Sequence, residues 1–487
     1  MINIVECLEK MVMGKDIKME NKASRITVLL GAGSSVEIGG ITSYELTKKI
    51  SEKLDTSEEY TKIYNILTYM YMNENEKLNF EDIFNILEHI YSINHENSKL
   101  SKIITLYEPW KNINPDLIKN LIFKIIAIIA ACIHEYDEKF DINNENTKFF
   151  VNFWKEISQR RRLDITTLNY DTCVEQCLSK EAWTDGYNEN EKEKIPEIKK
   201  FSLGEIRAQR FDPQILAVTE KSRIMHLHGC ILFGTPSKKN DELGTDIHDM
   251  YKFNTYDDAS DYLDSKNFST QDWQSLFAGP IITGLRKVDK ITIYPYSSYL
   301  YEFEKSILNN ESLLIIGYSF GDLYLNYLLK RMLQLHGEKR RIVIITKYNE
   351  EKINNFINHF KRFGSILSDS DIAIVDELTK IITMIDNTES SDSLLSPEER
   401  KEIRSKLCNI FQYIKEKDSI LSENENEVIT KLMNESYMQV LEKNKNLFED
   451  KVIDKIENKY VHIYYKGMRD AFENHEDEII NFLNGDQ

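Results

Sequence analysis

Six short runs constrain this chain more than any other feature: ITVLL at 26–30, LDITT at 163–167, RIMHL at 223–227, SLLII at 312–316, RIVII at 341–345 and DIAIV at 371–375. Each is rich in β-branched residues and nearly continuous in hydrophobicity, the pattern of a strand buried on both faces. Helical periodicity fills several of the intervals, and strand–helix alternation predicts parallel βαβ units. The expected fold class is therefore α/β with a parallel sheet.

The organisation around these strands follows from local signals. Residues 1–24 form an N-terminal arm, and a domain extends over 25–386. Thr42 and Glu45 have capping-box spacing and start a helix through SYELTKKISEKL. Residues 57–137 read as a helical insertion, with Tyr, Ile and Leu at three- and four-residue intervals and Pro115 near a helix start. Its most apolar stretch, Ile125–Ile133, is well short of the ~20 residues of a membrane span and reads as a buried helix. The polar stretch 183–290 reads as a variable insertion around the sheet, in the manner of a small lid. A polar boundary at 386–396 precedes Ser396-Pro397, a helix start, and 397–487 reads as a C-terminal all-α module.

Composition removes several function classes. The net charge is -18 and no Lys/Arg block interrupts it, so direct nucleic-acid binding is not expected. The six cysteines form no Cys-x-x-Cys pair, which predicts reduced thiols and neither a zinc ribbon nor a disulfide framework. Cys173 and Cys177 lie one helical turn apart but would need two further ligands, and no metal is expected. The N-terminus has no apolar core of the signal-peptide kind, so the expectation is a soluble cytoplasmic protein without membrane contact.

The strands end in unusual residues. Gly31, Ala32, Gly33 and Ser35 follow the first; taken alone, they fit a tight turn as well as a nucleotide loop. Asn169 and Asp171 follow the second, His228 and Gly229 the third, and Gly317, Ser319 and Asp322 the fourth. Ligands of parallel sheets bind at the carboxyl ends of strands, so these four turns converge on one site. Asp322 fits equally a helix cap or a ligand contact, while His226 alternates away from His228 and reads as structural. Cys230 reads as packing, and YPYSSYLYEF as a buried helix face rather than a stacking platform.

The four motifs GAGSS…G, TTLNYD, HLHG and IIGYSFGD, in this order, resemble the sirtuin-like fold, a Rossmann-like architecture, and within it the bacterial branch of NAD-consuming antiviral effectors. The resemblance covers about residues 25–350, and NFEDIF at 79–84 adds to it. It implies NAD as substrate, with the diphosphate on Gly31, Ala32, Gly33 and Ser35, the adenosine side held by Ser319 with help from Thr346, and Gly317 and Asp322 among the cofactor-binding residues. It further implies Asn169 and His228 as catalytic residues at the nicotinamide ribose and Asp171 at the nicotinamide amide. The chain departs from deacylases of this fold in lacking both the zinc ribbon and the Pro-Asp-Phe-Arg run, and TTLNYD carries one residue more than TTNYD. The implied function is hydrolysis of NAD to nicotinamide and ADP-ribose as an antiviral effector, in a homo-oligomer, with a partner ATPase or a phage-derived activator. The rival expectations are an NAD-dependent protein deacylase and a non-catalytic module sensing NAD or ADP-ribose.

Overall fold

The computed structural model describes residues 25–54, 58–72, 79–94, 114–194, 207–234, 250–260, 280–284, 287–292, 294–347, 455–457, 461–464 and 466–485. The expected arm at 1–24, the strand at 371–375, the boundary at 386–396 and the start of the C-terminal module lie outside these residues.

The described residues form twelve strands: β1 Ile26–Leu30, β2 Leu163–Thr167, β3 Trp183–Thr184, β4 Tyr187–Lys194, β5 Arg207–Phe211, β6 Ser222–His226, β7 Phe233–Gly234, β8 Tyr251–Phe253, β9 Ser312–Ile316, β10 Arg341–Ile345, β11 Lys455–Glu457 and β12 Val461–Tyr464. The main sheet has the order β11-β12-β10-β9-β1-β2-β6-β3 and is parallel except for β11, making the chain an α/β, Rossmann-like protein. The chain runs outward from β1 to β2 and β6, then returns to the other side of β1 with β9 and β10. That reversal puts a topological switch point between β1 and β9, where open α/β sheets leave a crevice for ligands.

Both faces are covered, which is why the strands lack polar alternation. Leu29, Met225, Leu313, Ile315 and Ile344 pack on one side under the helices Ser43–Leu54, Phe80–Asn94, Pro115–Asp137, Tyr296–Asn309 and Leu323–His336. Val28, Leu30, Ile165, Ile224, Leu314, Ile316 and Val343 pack on the other under Lys148–Arg160, Met468–Asn474 and Glu476–Asn484. Each such side chain contributes roughly 1.5–3 kcal/mol on burial.

Local signals act as read. Thr42 N–H and Oγ1 both donate to Glu45 Oε2, at 3.0 and 2.8 Å, and Glu45 N–H donates back to Thr42 Oγ1 at 3.2 Å. Asn114 caps Pro115–Asp137, with Pro115 in the first turn. By length and composition this helix could cross a membrane, but its Ile118, Leu121, Ile122, Ile125, Ile126 and Ile129 are buried in the core. Within residues 183–290, β4, β5, β8 and β7 form a separate antiparallel sheet, but β6 is an internal strand of the main sheet and β3 its edge, so the stretch is not wholly an insertion around the sheet.

The C-terminal end differs from the helical reading. Val461–Tyr464 pairs in parallel with Ile342–Ile345, and Lys455–Glu457 pairs antiparallel with β12. Lys455–Glu457 and Val461–Tyr464 therefore belong to the main sheet, so the stretch 397–487, expected to be all-α, carries two strands ahead of its last helices. VHIY alternates branched and aromatic residues within a short run, and buried pairing decides its state where local propensity is weak.

A charge network pins the edge of the sheet opposite the glycine turn. Asp164, fully buried, accepts from Arg223 Nε and Nη2 at 2.7 and 2.8 Å and from Arg25 Nε at 2.7 Å. Arg223 also pairs with Glu302.

Candidate functional site

The glycine turn after β1 packs backbone to backbone against the turn after β9. Gly31 N–H donates to Ile316 O and Gly33 N–H to Gly317 O, both at 2.9 Å. A β-carbon on Gly31 would stand 2.6 Å from Gly317 O, and one on Gly33 would stand 2.8 Å from Gly317 Cα. Gly317 itself has φ +61, and its β-carbon would meet Ser34 N at 2.1 Å. The amides of Gly31 and Gly33 thus bond the neighbouring turn, and their small size permits that turn-to-turn packing. Ala32 and Gly33 remain exposed at the rim.

Behind that rim lies a chain of hydrogen bonds. Asn169 Nδ2 donates to Ser34 Oγ and Ser35 Oγ, both at 2.9 Å. Ser34 Oγ donates to Gly31 O at 2.8 Å, and Ser35 Oγ donates to Asp171 Oδ2 at 2.8 Å. Tyr136 OH donates to the same Asp171 oxygen at 2.7 Å. Both serine protons are thus committed, so both serine oxygens must accept, and the Asn169 amide has one orientation that satisfies them. Its carbonyl oxygen is the atom not committed to the serines. Around the Asp171 carboxylate stand the Ser35 and Tyr136 hydroxyls and the Cys173 N–H, the last at 3.2 Å. Asp171 holds Asn169 in place through Ser35.

The β2–β6 register pairs Thr167 with His226, so Asn169 and His228 each lie two residues past a matched rung. The His228 turn is held from outside by residues 280–283. Ile282 N–H donates to His228 O at 2.7 Å and Cys230 N–H to Pro280 O at 3.1 Å. Gly229 has φ +94, and a β-carbon there would lie 2.0 Å from Pro280 O. The holding segment is anchored in turn by the helix Phe80–Asn94: Lys287 pairs with Glu81 and buried Lys290 with Glu88, each at 2.6 Å. The acidic-aromatic NFEDIF run thereby supports the His228 turn. Burial, with the Lys287 ammonium nearby, pushes the His228 imidazole well below its ordinary value, so it is neutral near pH 7. Its Nε2 is buried without a hydrogen-bond partner among the described residues.

His226 is buried and pairs through Nε2 with Glu175 of the helix Cys173–Cys177, confirming that it points away from the site. Asp322 caps a helix, as one of its two readings expected. Its Oδ1 accepts from Tyr324 N–H and Leu325 N–H at 3.0 and 3.1 Å, capping Leu323–His336. Its Oδ2 faces His228 Nε2 at 3.9 Å. Ser319 is exposed on the same edge, and Thr346 N–H donates to Tyr464 O at 2.9 Å.

Ser34, Tyr136 and Asp137 are site residues that the sequence reading did not single out. Ser34 adjoins Ser35 and was discoverable from the doubled serine. Tyr136 and Asp137 arrive on a helix remote in sequence, with no local signal. Asp137 accepts from Thr172 N–H at 2.6 Å, and burial, then Asp171, pushes its carboxyl up to about 6. Donor atoms of Asp137, Asp171 and Cys173 lie within 4.8 Å of one another. Both carboxylates there accept protein hydrogen bonds, and burial holds the Cys173 thiol protonated. Cys177 donates to Cys173 O at 3.2 Å and does not join that group.

A parallel sheet with a glycine turn at its switch point, and an amide and an imidazole on neighbouring strand ends, defines an α/β, Rossmann-like protein with a candidate ligand site at that edge. Within it, residues 164–362 match the family described as SIR2-like domain, which supports a sirtuin-like family and NAD-related activity in general. No curated protein matches the chain.

Proposed function

We propose that this protein is an NAD glycohydrolase that cleaves NAD to nicotinamide and ADP-ribose. The observation that carries the reading is a neutral, buried imidazole and an oriented amide, each two residues past one matched rung of adjacent strands. Breaking the nicotinamide–ribose bond builds oxocarbenium character on the sugar, and the cationic leaving group departs neutral without needing an acid. His228 supplies a base for a ribose hydroxyl or water. The Asn169 carbonyl oxygen orients that nucleophile without competing for its proton. The resemblance to bacterial antiviral effectors supports a role in which infection triggers NAD depletion, with a homo-oligomer, partner ATPase or phage-derived activator supplying control.

The test is chromatographic. Purified protein is incubated with NAD, and nicotinamide release is compared with Asn169→Ala and His228→Ala. We expect both substitutions to abolish release; turnover surviving both refutes the assignment. Release that depends on an acetyl-lysine peptide would identify a deacylase, and tight binding without turnover a sensor.

A further inference from the structure

Residues 317–322 carry strain that ending β9 does not require. Phe320 is buried at φ +56, a left-handed conformation uncommon outside glycine. The loop is tied down from within: Asp322 N–H donates to Tyr318 OH at 3.2 Å, Tyr318 OH lies 3.1 Å from Asn326 Oδ1, and Asn326 Nδ2 donates to Phe320 O at 2.8 Å. These ties aim Asp322 across the ends of β1 and β2 to the turn after β6.

A helix cap needs only one carboxylate oxygen, and Oδ1 serves it. Oδ2 is nevertheless buried without a hydrogen-bond partner among the described residues, and so is the His228 Nε2 that it faces at 3.9 Å. An unsatisfied buried polar atom costs about 1–3 kcal/mol, so two of them face to face mark a place shaped for a ligand. Their separation is too long for a direct bond, but a hydroxyl oxygen at about 2.8 Å from each fits between them. The carboxylate only accepts, whereas a neutral imidazole either accepts or donates, which suits hydroxyl groups on adjacent carbons.

We propose that Asp322 is the specificity-determining partner of His228: Oδ2 and Nε2 together take the vicinal hydroxyls of a ribose, so that the site selects ribosyl over deoxyribosyl ligands. The inference rests on the NAD reading above and names what that site recognises.

The experiment is calorimetric titration of ADP-ribose, and of analogues lacking the 2- or 3-hydroxyl of the terminal ribose, into wild type and Asp322→Ser. Serine still caps the helix but is too short to reach His228. We expect wild type to bind ADP-ribose about tenfold or more tightly than at least one analogue, in line with a lost hydrogen bond to a charged group. In Asp322→Ser the gap closes, an outcome that loss of a cap alone would not produce. If the serine variant does not fold, Asp322→Asn keeps the cap acceptor and must lose part of the same discrimination. Equal wild-type binding of all three sugars, or undiminished discrimination in a folded variant, overturns the proposal alone. A wild type that binds no ADP-ribose overturns the NAD reading with it.

Discussion

Ser35 shows how a site can depend on the direction of one proton. Its hydroxyl accepts from Asn169 and donates to Asp171, and reversing either bond would turn the amide around. Ser35→Ala removes a hydrogen bond to a charged group, worth about 1.5–3 kcal/mol, and should lower nicotinamide release by about tenfold or more. A melting curve that stays close to wild type would place the loss in the site rather than in the fold. Asp137 makes a separate prediction through its titration. Its folded value of about 6 exceeds the ordinary carboxyl value of 3.8, so between these the native state binds more protons than the unfolded chain. Stability from this group is therefore complete at acid pH and is lost as pH rises through 6, by up to about 3 kcal/mol. Asp137→Asn lacks this titration, so melting temperature measured from pH 4 to 7 should favour the asparagine protein increasingly as pH rises. A constant difference would contradict the shift.

At the scale of elements, the site is a meeting of turns, and the turns meet because glycine lets them. Gly317→Ala must relieve both a positive φ and a 2.1 Å approach to Ser34 N. Strain and overpacking cost about 1–3 kcal/mol each, so the expected destabilisation in urea is about 2–5 kcal/mol. Gly39 is the control, since it has φ +100 but nothing within 4 Å, and alanine there should cost roughly 1–2 kcal/mol. Similar losses at both positions would mean that the turn-to-turn contact is not what requires Gly317. The turns also show what a sequence discloses and what it withholds. Strands buried on both faces announce themselves by composition, and β1, β2, β9 and β10 lie where the hydrophobic runs predict. Asn169 and His228 were legible because a parallel sheet gathers its strand ends on one edge. The tasks of Gly31 and Gly33 were not, because a glycine spared for a ligand and one spared for a neighbouring turn are written alike. Tyr136 was not legible either, since only the folded chain lays the end of Pro115–Asp137 against Asp171.

The molecule as a whole closes on its own C-terminal end. Strand β12 gives β10 its outer neighbour, and the following helices bury Phe472, Ile479, Ile480, Phe482 and Leu483 against the sheet. Phe472 stacks on Phe153 at 3.7 Å between ring centres, and Leu483 O accepts from Ser312 Oγ at 2.6 Å. The same segment reaches the glycine turn: Glu37, three residues past Ser34, accepts from Arg469 N–H at 2.7 Å and from Lys347 Nζ at 2.8 Å. Gly467, at φ +102, leaves room for that carboxylate, because a β-carbon there would come within 2.7 Å of Glu37 Oε1. A helical module hung beyond the sheet could be removed at little cost to what remains, but a segment that supplies a strand cannot. Removing 455–487 exposes β10 as a bare hydrophobic edge, the kind of edge that pairs with other chains. It also deprives the core of apolar side chains worth roughly 1.5–3 kcal/mol each, in sum comparable to the roughly 5–15 kcal/mol by which a typical domain is stable. The truncated chain should therefore be recovered as aggregate, or melt without a cooperative transition by circular dichroism, and bind no ADP-ribose. A soluble product with the wild-type melting temperature would show that the sheet is complete without β12, and the coupling of the C-terminal segment to the glycine turn would fall with it.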